Sequence, residues 1–160
     1  MVSARETAGS VPDPEFPALT IADLGILRDV READGAVTVT ITPTYSGCPA
    51  MAQIAADLRR RLTGAGYERV DVRTELSPPW TTDWITPEGR RKLTAAGIAP
   101  PAAATPPVTP VPLTLTRAPV SCPRCGSRDT RETARFSATA CKALYQCRAC
   151  LEPFEYVKEF

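Results

Sequence analysis

Two Cys-x-x-Cys pairs, Cys122-Pro123-Arg124-Cys125 and Cys147-Arg148-Ala149-Cys150, restrict what the end of this chain can fold into. The segment that holds them, Val120 to Phe160, is too short to hold itself together by apolar burial alone. Two thiolates three positions apart face one ion where the backbone turns tightly, and Gly126 relieves that turn. Two such pairs complete a tetrahedron, with sulfur about 2.3 Å from zinc. Twenty-one residues separate the pairs, one more than the usual range for a four-cysteine zinc site. Short β-like stretches lie around them at Thr130–Ser137, Ala143–Gln146 and Pro153–Val157. The spacing predicts a four-cysteine zinc ribbon whose folding energy comes from the metal. The same four sulfurs also suit a single iron or a cluster, and two disulfides are the remaining option. Cys141 lies between the pairs, either as a packed small side chain or as a spare thiol near the metal.

The other 119 of the 160 residues allow one small domain and a connection. Residues 1–11 are expected to be a loose tail. Leu19, Ile21, Leu24 and Leu27 have the spacing of a short helix broken near Gly25. Asp34-Gly35 signals a hairpin, and Ala36–Thr42 alternates apolar residues with Thr as a strand does. A helix is expected from Pro49 through Met51, Ile54, Leu58 and Leu62, stopped by Gly64 and Gly66. Val70, Val72 and Thr74 follow as a strand. Pro87–Ala96 reads as a helix capped by Thr86. The fold class is therefore α+β: a small two-layer α/β domain at 12–98, a Pro/Ala-rich linker at 99–119, and the ribbon at 120–160.

Composition removes several functions. There is no histidine, so a Ser-His-Asp triad and a Glu-x-x-His di-iron site are both excluded for this chain alone. Nineteen basic residues against eighteen acidic ones give no bulk field for nucleic acid. The uncharged run Leu93–Thr116 carries six prolines, which a membrane helix does not tolerate. The first ten residues have no apolar signal region, so a cytoplasmic protein is expected. No Gly-x-Gly-x-x-Gly run offers a nicotinamide or flavin site.

Cys48 stands alone between the strand and the helix, after Gly47 and before Pro49. The unpaired N–H groups of a helix start would lower its pKa and favour thiolate. It is either a reactive or metal-binding thiolate, or an ordinary buried cysteine. Asp13, Glu15 and Asp23 are candidate acidic companions, and solvated turn carboxylates are the plainer alternative. Trp80 and Trp84 are core lids or a partner-facing surface, with the core role expected.

Several motifs resemble known families. Asp13-Pro14-Glu15, Asp23-Leu24-Gly25-Ile26, Thr44-x-x-x-Cys48-Pro49 and Pro78-Pro79-Trp80-x-x-Asp83 resemble the iron–sulfur-assembly domain of bacterial and eukaryotic maturation factors. Phe136 to Cys147, followed by Glu152-Pro153-Phe154-Glu155, resembles the D subunits of phenylacetyl-CoA 1,2-epoxidases. Ser137-Ala138 stands where Gly-Ser would be expected. The resemblance implies an accessory role in aerobic phenylacetate degradation, not catalysis by this chain. It implies delivery of iron or an iron–sulfur cluster to the oxygenase or reductase subunits, with Cys48 as transfer thiol assisted by Asp13 or Glu15. It also implies structural zinc on Cys122, Cys125, Cys147 and Cys150. A cluster bridging two Cys48 thiolates would require a homodimer. A structural scaffold of the oxygenase complex and an electron carrier with iron in the ribbon are the alternatives.

Overall fold

The computed structural model describes residues 2–102 and 119–159. Contacts divide the chain into two units, residues 1–92 with 160 and residues 93–159. The division falls ahead of the expected edge at residue 98. Most of the expected linker, residues 103–118, lies outside the described residues.

The first unit opens with helix α1 (Ala4–Gly9), where a loose tail was expected. Ser3 and Glu6 explain the difference. The Glu6 N–H donates to Ser3 Oγ at 3.2 Å, and the Ser3 N–H donates back to the Glu6 carboxylate at 2.9 Å. This reciprocal capping satisfies N–H groups that a helix start leaves unpaired. Ala4 and Ala8, four apart on one face, are fully buried with Val11, so the segment has a core to join.

The expected helix around Leu19–Arg28 does not form. The Thr20 N–H donates to the Asp23 carboxylate at 2.9 Å, and the Asp23 N–H donates to Thr20 Oγ1 at 3.1 Å. These local bonds compete with helical ones and close a turn instead. Gly25 (φ 69°) then redirects the chain, and strand β1 (Leu27–Ala33) begins. Leu19, Ile21 and Leu24 are still buried, now from a turn rather than from a helix face.

Asp34 (φ 49°) and Gly35 (φ 71°) make the two-residue turn into β2 (Ala36–Ile41). β1 and β2 are antiparallel, with Ala33 opposite Ala36 and Val30 opposite Val39. Helix α2 (Ala50–Gly64) then crosses over to β3 (Arg69–Thr74), which lies parallel to β2 with Val37 opposite Val70. The sheet order is β1-β2-β3. Ile54, Leu58 and Leu62 of α2 have no exposed surface, and Val37, Val39 and Ile41 on one sheet face are equally buried. This is the core between the two layers, where truncating a Leu to Ala costs about 2–5 kcal/mol.

The turn at Asp23-Leu24-Gly25 seats the end of this unit. Trp80 Nε1 donates to the Leu24 carbonyl at 2.8 Å. Lys92 pairs with the Asp23 carboxylate at 2.7 Å. A Cβ on Gly25 would lie 2.6 Å from the Trp84 carbonyl oxygen. Thr86 caps helix α3 (Pro87–Ala95) as its spacing predicts, its Oγ1 accepting from the Gly89 N–H at 3.0 Å.

The second unit is a four-stranded sheet, β4-β7-β6-β5, made of β4 (Ile98–Ala99), β5 (Thr130–Ala134), β6 (Lys142–Cys147) and β7 (Pro153–Val157). β5, β6 and β7 form an antiparallel meander, and β4 joins β7 in parallel. Ala99, Val120, Ala143, Tyr145 and Phe154 cluster with Cys122 and Cys147. Behind the cluster, Lys142 is buried and pairs with Glu155 at 2.9 Å, and Ser137 Oγ donates to the same carboxylate.

Candidate metal centre and the Cys48 thiol

The two cysteine pairs sit on matching turns. In the first, the Cys122 N–H donates to the Ser127 carbonyl and the Gly126 N–H to the Cys122 carbonyl, both at 2.9 Å, with Gly126 at φ 74°. In the second, the Cys147 N–H donates to the Glu152 carbonyl at 2.9 Å. Here Leu151, at φ 63°, takes the left-handed position. The sequence offered no glycine to announce that turn. The β5-β6-β7 meander brings the turns together, so that the four sulfurs lie within 4.8 Å of one another.

The gaps identify the chemistry. Cys122 Sγ is 3.8 Å from Cys150 Sγ, and Cys125 Sγ is 3.6 Å from Cys147 Sγ. A tetrahedron with metal–sulfur bonds of about 2.3 Å has edges of about 3.8 Å, so the four thiols fit one ion. A disulfide needs about 2.05 Å, and all six cysteines are free. The Cys150 N–H, followed by that of Ala149, lowers the Cys147 pKa to about 7. At Cys150 the Glu152 N–H pulls downward, but desolvation and the three neighbouring thiols push the pKa up to about 12. Sulfurs that compete so strongly for one negative charge suit a cation at their centre. A metal bound there supplies a cross-link between the two turns.

Cys141 is not one of the four. It is buried just before β6, with Thr139 Oγ1 at 3.1 Å from its sulfur.

Cys48 lies two residues before α2 and is half-buried. Its N–H donates to the Tyr45 carbonyl at 3.2 Å. The expectation of a lowered thiol pKa is corrected: it is raised. Desolvation contributes most, and the Glu15 and Asp13 carboxylates add repulsion. The Ala50 N–H and the Thr44 side chain bond to the sulfur and pull the other way, without prevailing. The Ala50 N–H is the largest of the opposing contributions, yet burial together with the two carboxylates outweighs it. Thr44 was visible four positions before Cys48, but spacing alone gave it no role.

The fold therefore brings Glu15 and Asp13 into electrostatic reach of Cys48. They do not close into a ligand set: among the described residues, the four ribbon cysteines form the group of three or more donors within 4.8 Å. Asp13 also has a structural task, since its Oδ1 accepts the N–H groups of Glu15 at 2.8 Å and Phe16 at 2.9 Å. Asp23 belongs elsewhere. Burial opposes its charge, but Lys92 and Thr20 outweigh that and hold the carboxyl below its ordinary value. Trp80 is buried, as the core role requires, while Trp84 is half-buried with the Arg28 guanidinium 3.5 Å from its ring centre.

Comparison with known proteins agrees with this division. Residues 107–158 match the family described as "PaaD zinc beta ribbon domain", and residues 5–73 match "Iron-sulfur cluster assembly protein". The chain is 45% identical over 153 residues to the putative D subunit of the 1,2-phenylacetyl-CoA epoxidase of Escherichia coli, covering 92% of this chain and 86% of that one. This chain belongs to the family of phenylacetyl-CoA epoxidase D subunits. Other relatives of this D-type chain cover about half of it. An Fe-S protein maturation auxiliary factor of Porphyromonas gingivalis is 36% identical over 86 residues, which are 52% of this chain and 81% of that protein. A crystal structure of a domain of unknown function from Bacillus anthracis superposes with a TM-score of 0.53 at 26% identity, over 56% of this chain and 87% of that one. Both the α+β fold class and the metal-binding character of the ribbon cysteines hold. None of the described helices is long and apolar enough to cross a membrane.

Proposed function

We propose that this chain is an accessory maturation subunit of a phenylacetyl-CoA epoxidase, handing iron or an iron–sulfur cluster to the oxygenase or its reductase. The observation that carries the proposal is the half-buried Cys48 thiol beside Glu15 and Asp13, inside the segment that matches the iron–sulfur-assembly family. The carboxylates that oppose a free thiolate attract a cation. At rest the thiol is neutral and poorly nucleophilic. An arriving cation favours loss of the proton, so loading releases a proton and strengthens as pH rises. A single protein sulfur with no closed ligand set holds its cargo loosely enough to pass it on. A cluster held between two Cys48 thiolates would make the loaded form a homodimer. The ribbon cysteines hold zinc as a staple; the expected linker at 99–119 is shortened at its start, because Ala99 pairs with β7 in the ribbon sheet.

Two measurements test this. Co-expression of the oxygenase and reductase subunits with the Cys48→Ala variant should lower partner iron occupancy and activity several-fold, while the variant keeps its ribbon metal. Full occupancy in the partners would end the delivery proposal. Metal analysis of the purified chain should find one zinc per chain, lost with Cys122→Ser. A coloured protein that bleaches on reduction would instead mark the ribbon as an iron electron carrier.

A further inference from the structure

The four ribbon sulfurs differ in access. Cys122 and Cys147 are buried, and Cys125 and Cys150 are exposed. Each exposed cysteine faces a buried one on the opposite turn: Cys125 Sγ meets Cys147 Sγ at 3.6 Å, and Cys150 Sγ meets Cys122 Sγ at 3.8 Å. The Arg124–Glu152 ion pair, at 2.9 Å, joins the same two turns.

We propose that the ribbon is a peroxide-sensitive switch, which exchanges its zinc for two disulfides across the turns, Cys125–Cys147 and Cys122–Cys150. An exposed thiolate takes an oxygen atom from hydrogen peroxide, releases hydroxide and becomes a sulfenic acid. The buried thiolate opposite attacks that sulfur, forms the S–S bond and expels a second hydroxide. Two sulfurs thereby give two electrons to one peroxide, and two such steps consume all four ligands. Zinc has no redox chemistry of its own, so it leaves as the ion. Each gap closes to about 2.05 Å, a movement that side-chain rotation on neighbouring turns supplies.

Pairing across the turns is favoured over pairing within them. Bonds across the turns span 22 and 28 positions, against three for a bond within a Cys-x-x-Cys pair. A longer loop removes more freedom from the unfolded chain. These bonds also replace the link between the turns that the metal supplied, so the sheet keeps a staple. The two other thiols compete poorly. Cys141 is buried with its sulfur 3.1 Å from Thr139 Oγ1, and Cys48 is half-buried. The switch rests on zinc in the ribbon and is independent of delivery through Cys48.

The test treats the full zinc-loaded chain with hydrogen peroxide. Zinc release is read with a chromogenic chelator, and the linkages by mass spectrometry of the alkylated, unreduced digest. One zinc should leave for every two peroxides consumed, with both cross-turn disulfides formed. Dimedone in a parallel sample should label Cys125 and Cys150 ahead of Cys122 and Cys147. Amide protection in β6 should stay within tenfold of the zinc-loaded protein, and dithiothreitol with zinc should restore the starting state. Disulfides Cys122–Cys125 and Cys147–Cys150 would overturn the proposal. So would zinc loss with β6 protection abolished, or zinc retained while Cys48 or Cys141 is oxidised first. Untreated protein without zinc would overturn the ribbon's zinc assignment and this switch with it, and metal analysis before treatment separates that outcome from the others.

Discussion

Replacing Glu155 with Gln tests whether a buried charge pair fixes the ribbon sheet. Lys142 has a side-chain exposure of 7%, and Glu155 meets it at 2.9 Å across β6 and β7. Burial by itself would raise the Glu155 pKa, but Lys142 and then Ser137 outweigh it, and the carboxyl is held below its ordinary value. Glu155→Gln keeps the shape and still offers Ser137 an acceptor, but removes the carboxylate charge that the buried ammonium meets at 2.9 Å. Removing one partner of such a pair costs about 3–5 kcal/mol. At about 1.4 kcal/mol per factor of ten, amide protection in β6 and β7 should fall by roughly two to three and a half orders of magnitude. Hydrogen exchange on the metal-loaded protein reads this directly, with α2 amides as the internal reference. The double variant Lys142→Met/Glu155→Leu should recover most of the loss, because an apolar pair has no desolvation penalty. The sign with pH follows. A lowered folded pKa gives stability that is present above the unfolded carboxylate range, about 4.3, and lost as pH falls through the folded value. Protection in Glu155→Gln within threefold of the parent, or a double variant no better than the single, would refute the reasoning.

Two further outcomes follow from the first unit. Gly25→Ala places a Cβ 2.6 Å from the Trp84 carbonyl oxygen at φ 69°. The left-handed strain and the forced shift together should cost about 2–4 kcal/mol, read as a lower urea midpoint by tryptophan fluorescence. Cys48 should react with iodoacetamide more slowly at neutral pH than a free thiol of pKa about 8.5. Glu15→Gln should move that rate profile to lower pH, since Glu15 is one of the charges that raise the thiol pKa. An unchanged profile would remove Glu15 from the site.

Much of this is legible in the sequence because its causes are local. The alternation over Ala36–Ile41 and the 3.6-residue stripe of Ile54, Leu58 and Leu62 each report one buried face, and both elements form where their period places them. The capping box at Ser3 and Glu6 is equally local, but a six-residue helix is marginal by itself and needs the core that Ala4 and Ala8 join. The stretch from Leu19 to Leu27 misleads for a physical reason. Its apolar spacing fits a helix, but Thr20 and Asp23 bond each other's backbone, and tertiary burial accepts the same leucines from a turn.

What the sequence by itself determined is the four-sulfur centre: two pairs of thiols with enough chain between them have few ways to satisfy a metal, whatever the strands around them do. What only the tertiary structure decided is the character of Cys48 and the surroundings of Arg28. A helix start beside a cysteine predicts a lowered thiol pKa, yet burial in the folded chain raises it, and Glu15 and Asp13, more than thirty positions away, fold back beside it and add to the rise. Arg28 likewise meets the ring of Trp84, far along the chain. Charge and solvent exclusion act through space, and no local spacing encodes which distant side chain will supply them.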